Sequence, residues 1–401
     1  MRIETFAVQG FKNLVDEVRL EGMGGVVVLH GANDVGKSNV VEAIGACLRL
    51  IDLLFLQDKL GSLELDRRNF ASVVRMDPRD FYTLGGHGHA RFELGVEGVA
   101  VPARVEVTWG GDGVRVQPRP DRHDRAAWEA LRDSPRFQHI QVDRTEIGDG
   151  GSNRDPHDRG QIPADVAMAL FDARDSLETA AIQRMDLFRD VMARFRELLG
   201  GREINVVYRR EEGRALVVLE TPDGRLPAYL LGSGAQQVVA LIGRVLTCGA
   251  DIVAIEEPEL NLRMDVQERL AEALHFIVAD PRGPSQILLT SHSPVFERGG
   301  AFFHLERTAE GLRVSRRPGG EASDVTGVLA PGVAPADAPQ SYMSTEGALR
   351  FNGFAREHLG LPEGGRVFVV RGEPGELRVF SEDRWRERHP LPFAADGDDL
   401  G

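Results

Sequence analysis

Lysine is almost absent from this chain. Of 48 basic residues among its 401, only Lys12, Lys37 and Lys59 are lysine, and the others are all arginine. The coding bias of a GC-rich genome accounts for arginine spread over a surface. A lysine that remains marks a place where a compact ammonium does what a planar guanidinium cannot. Cysteine is equally scarce. Cys47 and Cys248 lie in apolar runs that predict two buried thiols, and they form no C-x-x-C pair. A disulfide framework and a zinc hook or finger are therefore excluded. No apolar run approaches the ~20 residues of a membrane-spanning helix. The start, Met1-Arg2-Ile3-Glu4-Thr5-Phe6, carries an acid and no long apolar stretch, unlike a secretory leader. These absences predict a cytoplasmic protein without a membrane partner. Bulk positive charge is missing as well, since the formal net charge is −14. The chain does not coat nucleic acid by charge alone, and any DNA contact needs a local patch or a partner. The hydrophobic fraction of 42% and charged fraction of 27% are those of a soluble globular protein, with room for roughly two to three domains.

What is present is sharper. Gly31-Ala32-Asn33-Asp34-Val35-Gly36-Lys37-Ser38 fits G-x-x-x-x-G-K-[ST], the phosphate-cradling loop. Val26 to Leu29 before it read as a buried strand, and Val40 to Ile44 after it as the start of a helix. Strand, glycine loop and helix are the context this motif needs. Backbone N–H groups of such a loop face phosphates. Lys37 reaches the β- and γ-phosphates, and the Ser38 hydroxyl suits Mg²⁺. The motif implies that a nucleoside triphosphate binds.

Residues 2–9 and 14–20 read as strands flanking a turn at Phe11-Lys12-Asn13. Residues 88–96, 103–109 and 113–117 read as an antiparallel meander, and 138–142 as a core strand. The stretches 118–125 and 147–160 read as polar loops, and 164–199 carries helical periodicity. A strand pair follows at 203–209 and 214–220. Then come a helix from about 234 to 247, a strand at 251–256, a helix at 265–279 and a strand at 286–290. That alternation predicts a sheet with parallel strands. A Pro/Ala linker at 329–342 precedes a small module at 343–390 and a tail at 391–401 that reads as disordered.

Four further patches accompany the loop. Ile252-Val253-Ala254-Ile255 ends in Glu256-Glu257-Pro258-Glu259, where acids are placed to hold Mg²⁺ and polarise a water. An acidic helix N-terminus is the alternative. Gln286 to Thr290 leads to Ser291-His292-Ser293-Pro294, where a histidine at a strand end meets a γ-phosphate or serves structure. Leu231-Gly232-Ser233-Gly234-Ala235-Gln236-Gln237 opens a helix with small residues. Asn261-Leu262 follows the acidic strand without a signal of its own.

Taken in chain order, the glycine loop, the Ser233 helix start, the acidic strand end and the His292 segment resemble the ABC-type ATPase heads of the SMC, RecF and OLD group, over about residues 1–310. Glu256-Glu257-Pro258-Glu259-Leu260-Asn261-Leu262 and Gln286-Ile287-Leu288-Leu289-Thr290-Ser291-His292-Ser293-Pro294 are most similar to the OLD-like and RecF-like end. The resemblance implies an α/β P-loop NTPase of ABC-ATPase type. It would have a mixed sheet, an antiparallel β subdomain and a small β-rich C-terminal module, with the head at 1–328 and a helical insertion at 164–199. It also implies roles. Gly31 to Asn39 and Lys12 would bind nucleotide, Lys12 being otherwise a surface turn residue. Ser38 and Glu256 would hold Mg²⁺. Lys37, Glu257 and His292 would be catalytic. Ser233, Gly234, Ala235 and Gln236 would form a signature that meets the nucleotide of the opposite protomer. Ala235 stands where many members carry Gly. Asn261 falls in the segment after the acidic strand, and no Q-loop glutamine is assigned, Gln57 and Gln141 being the candidates.

The segment 164–199 spans about 54 Å if it is one helix, without the run of clean heptads a long coiled-coil arm needs. Val369-Val370-Arg371-Gly372-Glu373 echoes the opening of an OLD-type nuclease domain. Arg371 stands in place of its essential acid, so no nuclease site is expected. Ser344-Thr345-Glu346-Gly347 and Arg356 to Val367 resemble the AbrB/MraZ swapped hairpin, with Asn352 and Gly365 departing from its pattern. Such a unit implies dimerisation or DNA contact through Arg350 and Arg356, and a plain hairpin cap is the alternative. The expected protein is an ATP- and Mg²⁺-dependent homodimer or higher even-numbered oligomer. It would serve a separate nuclease or toxin in anti-phage defence. A RecF-like repair ATPase acting on DNA, or a regulator reading DNA through its C-terminal module, is the alternative.

Overall fold

Apolar runs bury both faces only when a strand lies inside a sheet covered on each side. Three such runs form the centre of this protein, seen in a computed structural model. Strands β3 (Val26–Gly31), β8 (Phe137–Gln141), β12 (Ile252–Glu256), β13 (Gln286–Ser291), β14 (Ala301–Thr308) and β15 (Gly311–Arg317) form one sheet in the order β15–β14–β3–β13–β12–β8. All neighbours are parallel except the β14–β15 pair. The structure describes residues 1–56, 62–74, 88–99, 101–110, 113–118, 128–129, 131–132, 136–141, 162–297, 300–308, 311–317, 342–343, 349–350, 359–360, 367–371, 377–381 and 384.

Because successive side chains of a strand point to opposite faces, the sheet divides the apolar residues into two cores. Val27, Leu29, Ile252, Ala254 and Leu288 join one, against helix α1 (Lys37–Leu56). That core is closed by an antiparallel sheet of β1 (Ile3–Gln9), β2 (Val18–Glu21), β4 (Leu63–Asp66), β5 (His89–Val96), β6 (Ala103–Gly110) and β7 (Gly113–Pro118), in the order β2–β1–β5–β6–β7–β4. Helix α2 (Arg67–Val74) adds Phe70 and Val74 to the same core. Val26, Val28, Val253, Ile255, Ile287 and Leu289 join the other core. Helices α3 (Ala164–Asp175), α4 (Thr179–Arg194), α5 (Ser233–Thr247) and α6 (Met264–Ala279) cover it, beside the sheet β9 (Glu203–Arg209), β10 (Arg214–Thr221) and β11 (Gly224–Pro227). Gln286, fully buried, ties the first strand to the central sheet. Its Oε1 accepts from the Ile3 N–H, and its Nε2 donates to the carbonyls of Ile3 and Gly24.

The helical segment at 164–199 is not one rod. It breaks at Ser176-Leu177-Glu178, where Leu177 is fully exposed, and both resulting helices bury apolar faces (Val166, Leu170, Phe188, Val191, Met192) in the second core. Cys47 is buried within α1, and burial pushes its thiol well above the usual range. Cys248 corrects the expectation of two buried thiols. It caps the C-terminus of α5, where the chain leaves the core, and it is exposed. Strands β4, β11, β14 and β15 and helix α2 were not foreseen from the sequence. Among the described residues no helix is long and apolar enough to cross a membrane.

The chain divides into two units, Met1–Gly320 and Glu321–Gly401. The described part of the second consists of two antiparallel pairs, β16 (Tyr342–Met343) with β17 (Leu349–Arg350) and β18 (Val367–Arg371) with β19 (Leu377–Ser381). The 147–160 loop, the linker apart from its last residue, Arg356, the 391–401 tail and most of the swapped-hairpin pattern lie outside the described residues, as do residues 119–125.

Candidate functional site

Parallel strands deliver their carboxyl ends to one edge, which is where open α/β sheets bind ligands. Along this edge the ladder pairs Leu29 and His30 of β3 with Thr290 and Ser291 of β13, Thr290 with Glu256 of β12, and Glu256 with Gln141 of β8. The glycine loop leaves β3 at Gly31 and enters α1 at Lys37. Gly31 and Gly36 have φ of 153° and 117°. A Cβ at Gly31 would stand 2.3 Å from the Leu305 carbonyl oxygen, and one at Gly36 3.0 Å from Asn13 Oδ1. Gly31 is therefore demanded by space as well as by dihedral, and Gly36 by its dihedral, with Asn13 close against it. Val35 is buried and anchors the loop, whereas Ala32, Asn33 and Asp34 face solvent. Lys37 is only 6% exposed. Its ammonium donates to the carbonyls of Gly31 (2.8 Å) and Ala32 (2.9 Å) and lies 2.9 Å from His292 Nε2. An ammonium only donates, so Nε2 accepts and the proton of a neutral imidazole resides on Nδ1. Ser38 and Asn39 are half-buried.

The Phe11-Lys12-Asn13 turn lies against the loop. Asn39 Nδ2 donates to Asn13 Oδ1 at 2.7 Å, and Lys12 forms an ion pair with Glu42 of α1. Among the described residues the non-glycine positions with positive φ are Lys12, Asp34, Glu257 and Asn261, all in segments carrying the predicted motifs. Backbone of this kind costs of order 1–3 kcal/mol per residue and concentrates where function requires it.

Beyond β12, Glu257 is held by its own N–H donating to the Thr290 carbonyl at 2.8 Å, and its Oε1 lies 3.6 Å from His292 Nε2. Lys37, Glu257 and His292, predicted as a catalytic set, thus meet. Glu256 is engaged on its other side, where its Oε1 lies 3.0 Å from His139 Nε2 of β8. Glu259 accepts from the Ser291 hydroxyl (2.9 Å) and the His292 N–H (2.6 Å) through one oxygen. The sequence reading gave no role to His139 or Glu259. Glu259 was in view as the last acid of its motif. His139 carries no local signal, because its partner is 117 residues away along the chain. Gln141 ends the strand beside Glu256, whereas Gln57 is outside the described residues. No group of three or more His, Cys, Asp or Glu among the described residues is arranged to hold a metal alone. Ser38 and Glu256 instead offer hard oxygens suited to Mg²⁺, which keeps several waters and takes its other ligands from phosphate.

The residues predicted as a signature divide. Helix α5 begins at Ser233 after Gly232, without a side-chain cap, and both residues are exposed. Gly234 is half-buried. Ala235 and Gln236 are buried. The Gln236 amide turns inward and donates to the carbonyls of Tyr229 (3.1 Å) and Leu231 (2.8 Å), fixing the approach to the helix. Gln237 donates to the Leu260 carbonyl at 2.6 Å, joining α5 to the loop that carries the exposed Asn261.

The family described as "AAA domain, putative AbiEii toxin, Type IV TA system" matches residues 26–296. No curated protein matches. Solved structures similar to this chain include the SMC head domain from Thermotoga maritima, at 14% identity and TM-score 0.46, covering 79% of this chain and 100% of that one. The SmcHead bound to the C-winged helix domain of ScpA matches at 13% identity and TM-score 0.49, covering 79% and 98%. The Smc head domain with an extended coiled coil, bound to the C-terminal domain of ScpA derived from Pyrococcus furiosus, matches at 12% and 0.44, covering 79% and 96%. Likeness at this level carries no function from one protein to another.

Proposed function

This chain belongs to that AAA-domain family, and on this premise we propose that it hydrolyses ATP, with Mg²⁺, in a site shared between two copies. The observation that carries the reading is the convergence of Lys37, His292 and Glu257 from three different segments, at 2.9 and 3.6 Å. The backbone of Gly31 to Ser38 cradles the phosphates, and Lys37 exchanges its carbonyl partners for β- and γ-oxygens. Glu257 orients a water in line with the γ-phosphorus, and His292 contacts the γ-phosphate. Ser38 and Glu256 would hold Mg²⁺, whose charge would offset that of the phosphates. Lys12, beside the loop, adds a second cation near the nucleotide. Ser233 and Gly234 of a second copy close the site, which the exposure of Ser233 at a bare helix N-terminus supports.

Dimerisation then depends on ATP, and the assembly acts as the sensor and scaffold for a separate toxin or nuclease in anti-phage defence. The family description, with its toxin–antitoxin context, supports a protein partner. The net charge of −14 weighs against direct action on DNA. The test uses Glu257→Gln, which keeps the fold of the loop and removes the water-orienting carboxylate. Phosphate release falls by about 10²–10⁴-fold, while ATP stays bound. Light scattering reports a nucleotide-dependent dimer, and affinity purification from the native host recovers the same partner repeatedly. Undiminished hydrolysis by the variant would end this reading.

A further inference from the structure

Glu259 is the one acid of the Glu256-Glu257-Pro258-Glu259 group to which the proposed hydrolysis assigns no task. Its Oε1 accepts two hydrogen bonds, from Ser291 Oγ at 2.9 Å and from the His292 N–H at 2.6 Å. Its Oε2 is buried with no hydrogen-bond partner among the described residues. A short bond from a backbone N–H to a carboxylate is charge-assisted and about twice as strong as a neutral one. A buried oxygen left without a donor, by contrast, costs stability.

What Glu259 grips is specific. Both donors belong to the segment that leaves β13, and one is the backbone of the histidine that meets Lys37 and Glu257. The segment is held from its far side as well. Ser293 donates its hydroxyl to Gln267 Oε1 at 2.6 Å, and the Ser293 N–H donates to Ser291 Oγ at 2.9 Å. Gln267 Nε2 in turn donates to the Leu262 carbonyl at 2.8 Å, on the loop that carries Glu259. The loop after β12 and the loop after β13 therefore form one hydrogen-bonded unit, with Glu259 as its link to His292.

We infer that Glu259 is a positioning residue. By fixing the His292 backbone to the loop that bears Glu257, it sets the distance between the γ-phosphate contact and the water-orienting acid. This rests on the proposed hydrolytic roles of His292 and Glu257. A misplacement of about 1 Å costs on the order of 10²-fold in rate.

Three variants of the full chain test it, Glu259→Ala, Glu259→Gln and His292→Ala, with the Ala/Ala double variant. Glu259→Ala lowers kcat by about 10- to 100-fold and leaves ATP affinity within about two-fold, because the glycine loop is untouched. Glu259→Gln keeps an oxygen acceptor and restores most of the rate. In the His292→Ala background Glu259→Ala has no further effect, as coupling through one residue requires. An equal loss in both backgrounds, or a Gln variant no better than Ala, would overturn the inference. Amide hydrogen exchange gives a readout free of turnover. The His292 amide is protected in the wild type and in Glu259→Gln and loses protection in Glu259→Ala, whereas unchanged protection in Glu259→Ala would overturn the inference. If the wild type does not hydrolyse ATP, the hydrolytic proposal falls, while exchange still decides whether Glu259 holds His292.

Discussion

Helices α1 and α5 each start directly after a glycine, Gly36 and Gly232, and they end up in opposite states. Helix α1 starts inside a wrapped loop. Gly31 and Gly36 are closed in by Leu305 and Asn13, and Lys37 is buried and saturated with partners from its own chain. Helix α5 starts bare, with Gly232 and Ser233 exposed and no side-chain cap. Each offers unpaired N–H groups to an anion by the same dipole physics. The first is built to hold a phosphate by itself. The second offers an exposed edge and nothing to close over it, as half of a shared site would. In the account proposed here, α1 supplies one wall of each nucleotide site and α5 of a second copy supplies the other.

The contrast can be broken from either side. The largest effect is expected at α1. Lys37→Ala removes the buried ammonium and lowers hydrolysis by about 10²–10³-fold, measured by phosphate release, with nucleotide affinity falling in parallel by equilibrium dialysis. At α5, Ser233→Arg fills the exposed edge. Hydrolysis falls by about 10²-fold and the ATP-dependent dimer is lost in light scattering, while the melting temperature and the monomer's nucleotide affinity stay near wild type. An equal loss of affinity in both variants would mean that the two helix ends serve one chain's own site. The smallest effect sharpens the contrast between buried and exposed. A thiol reagent labels one cysteine per native chain, Cys248 at the end of α5, and does so slowly because partial burial raises its thiol too. Cys47 inside α1, with its thiol pushed up by burial, reacts only on unfolding.

How much of this was legible follows from where each signal lies along the chain. Strands β3, β12 and β13 are buried on both faces, so each is a continuous apolar run, and the glycine loop is local in sequence. The proposed catalytic set was readable as motifs because Lys37, Glu257 and His292 each lie in a short segment that follows such a run. Strand β14 was not, since its apolar start, Ala301-Phe302-Phe303, gives way to His304, Glu306 and Arg307 toward its end. His139 was invisible because parallel pairing, not spacing, brings it to Glu256. Gln236 fitted the motif in type, but only the fold fixes its amide on the carbonyls behind the helix. The break within 164–199 was hidden because the helical period resumes after three residues.

The central claim is that a complete site takes its two walls from two chains, and mixing two inactive variants tests it most directly. Lys37→Ala and Ser233→Arg are each purified, mixed in equal amounts with ATP and Mg²⁺, and assayed for phosphate release. Neither variant forms the ATP-dependent dimer by itself, so the dimers that form in the mixture pair one variant with the other. Each of those contains one of its two sites with both walls intact, so the account predicts recovery toward about half of wild-type activity. A mixture no more active than the mean of the two separate proteins would contradict it.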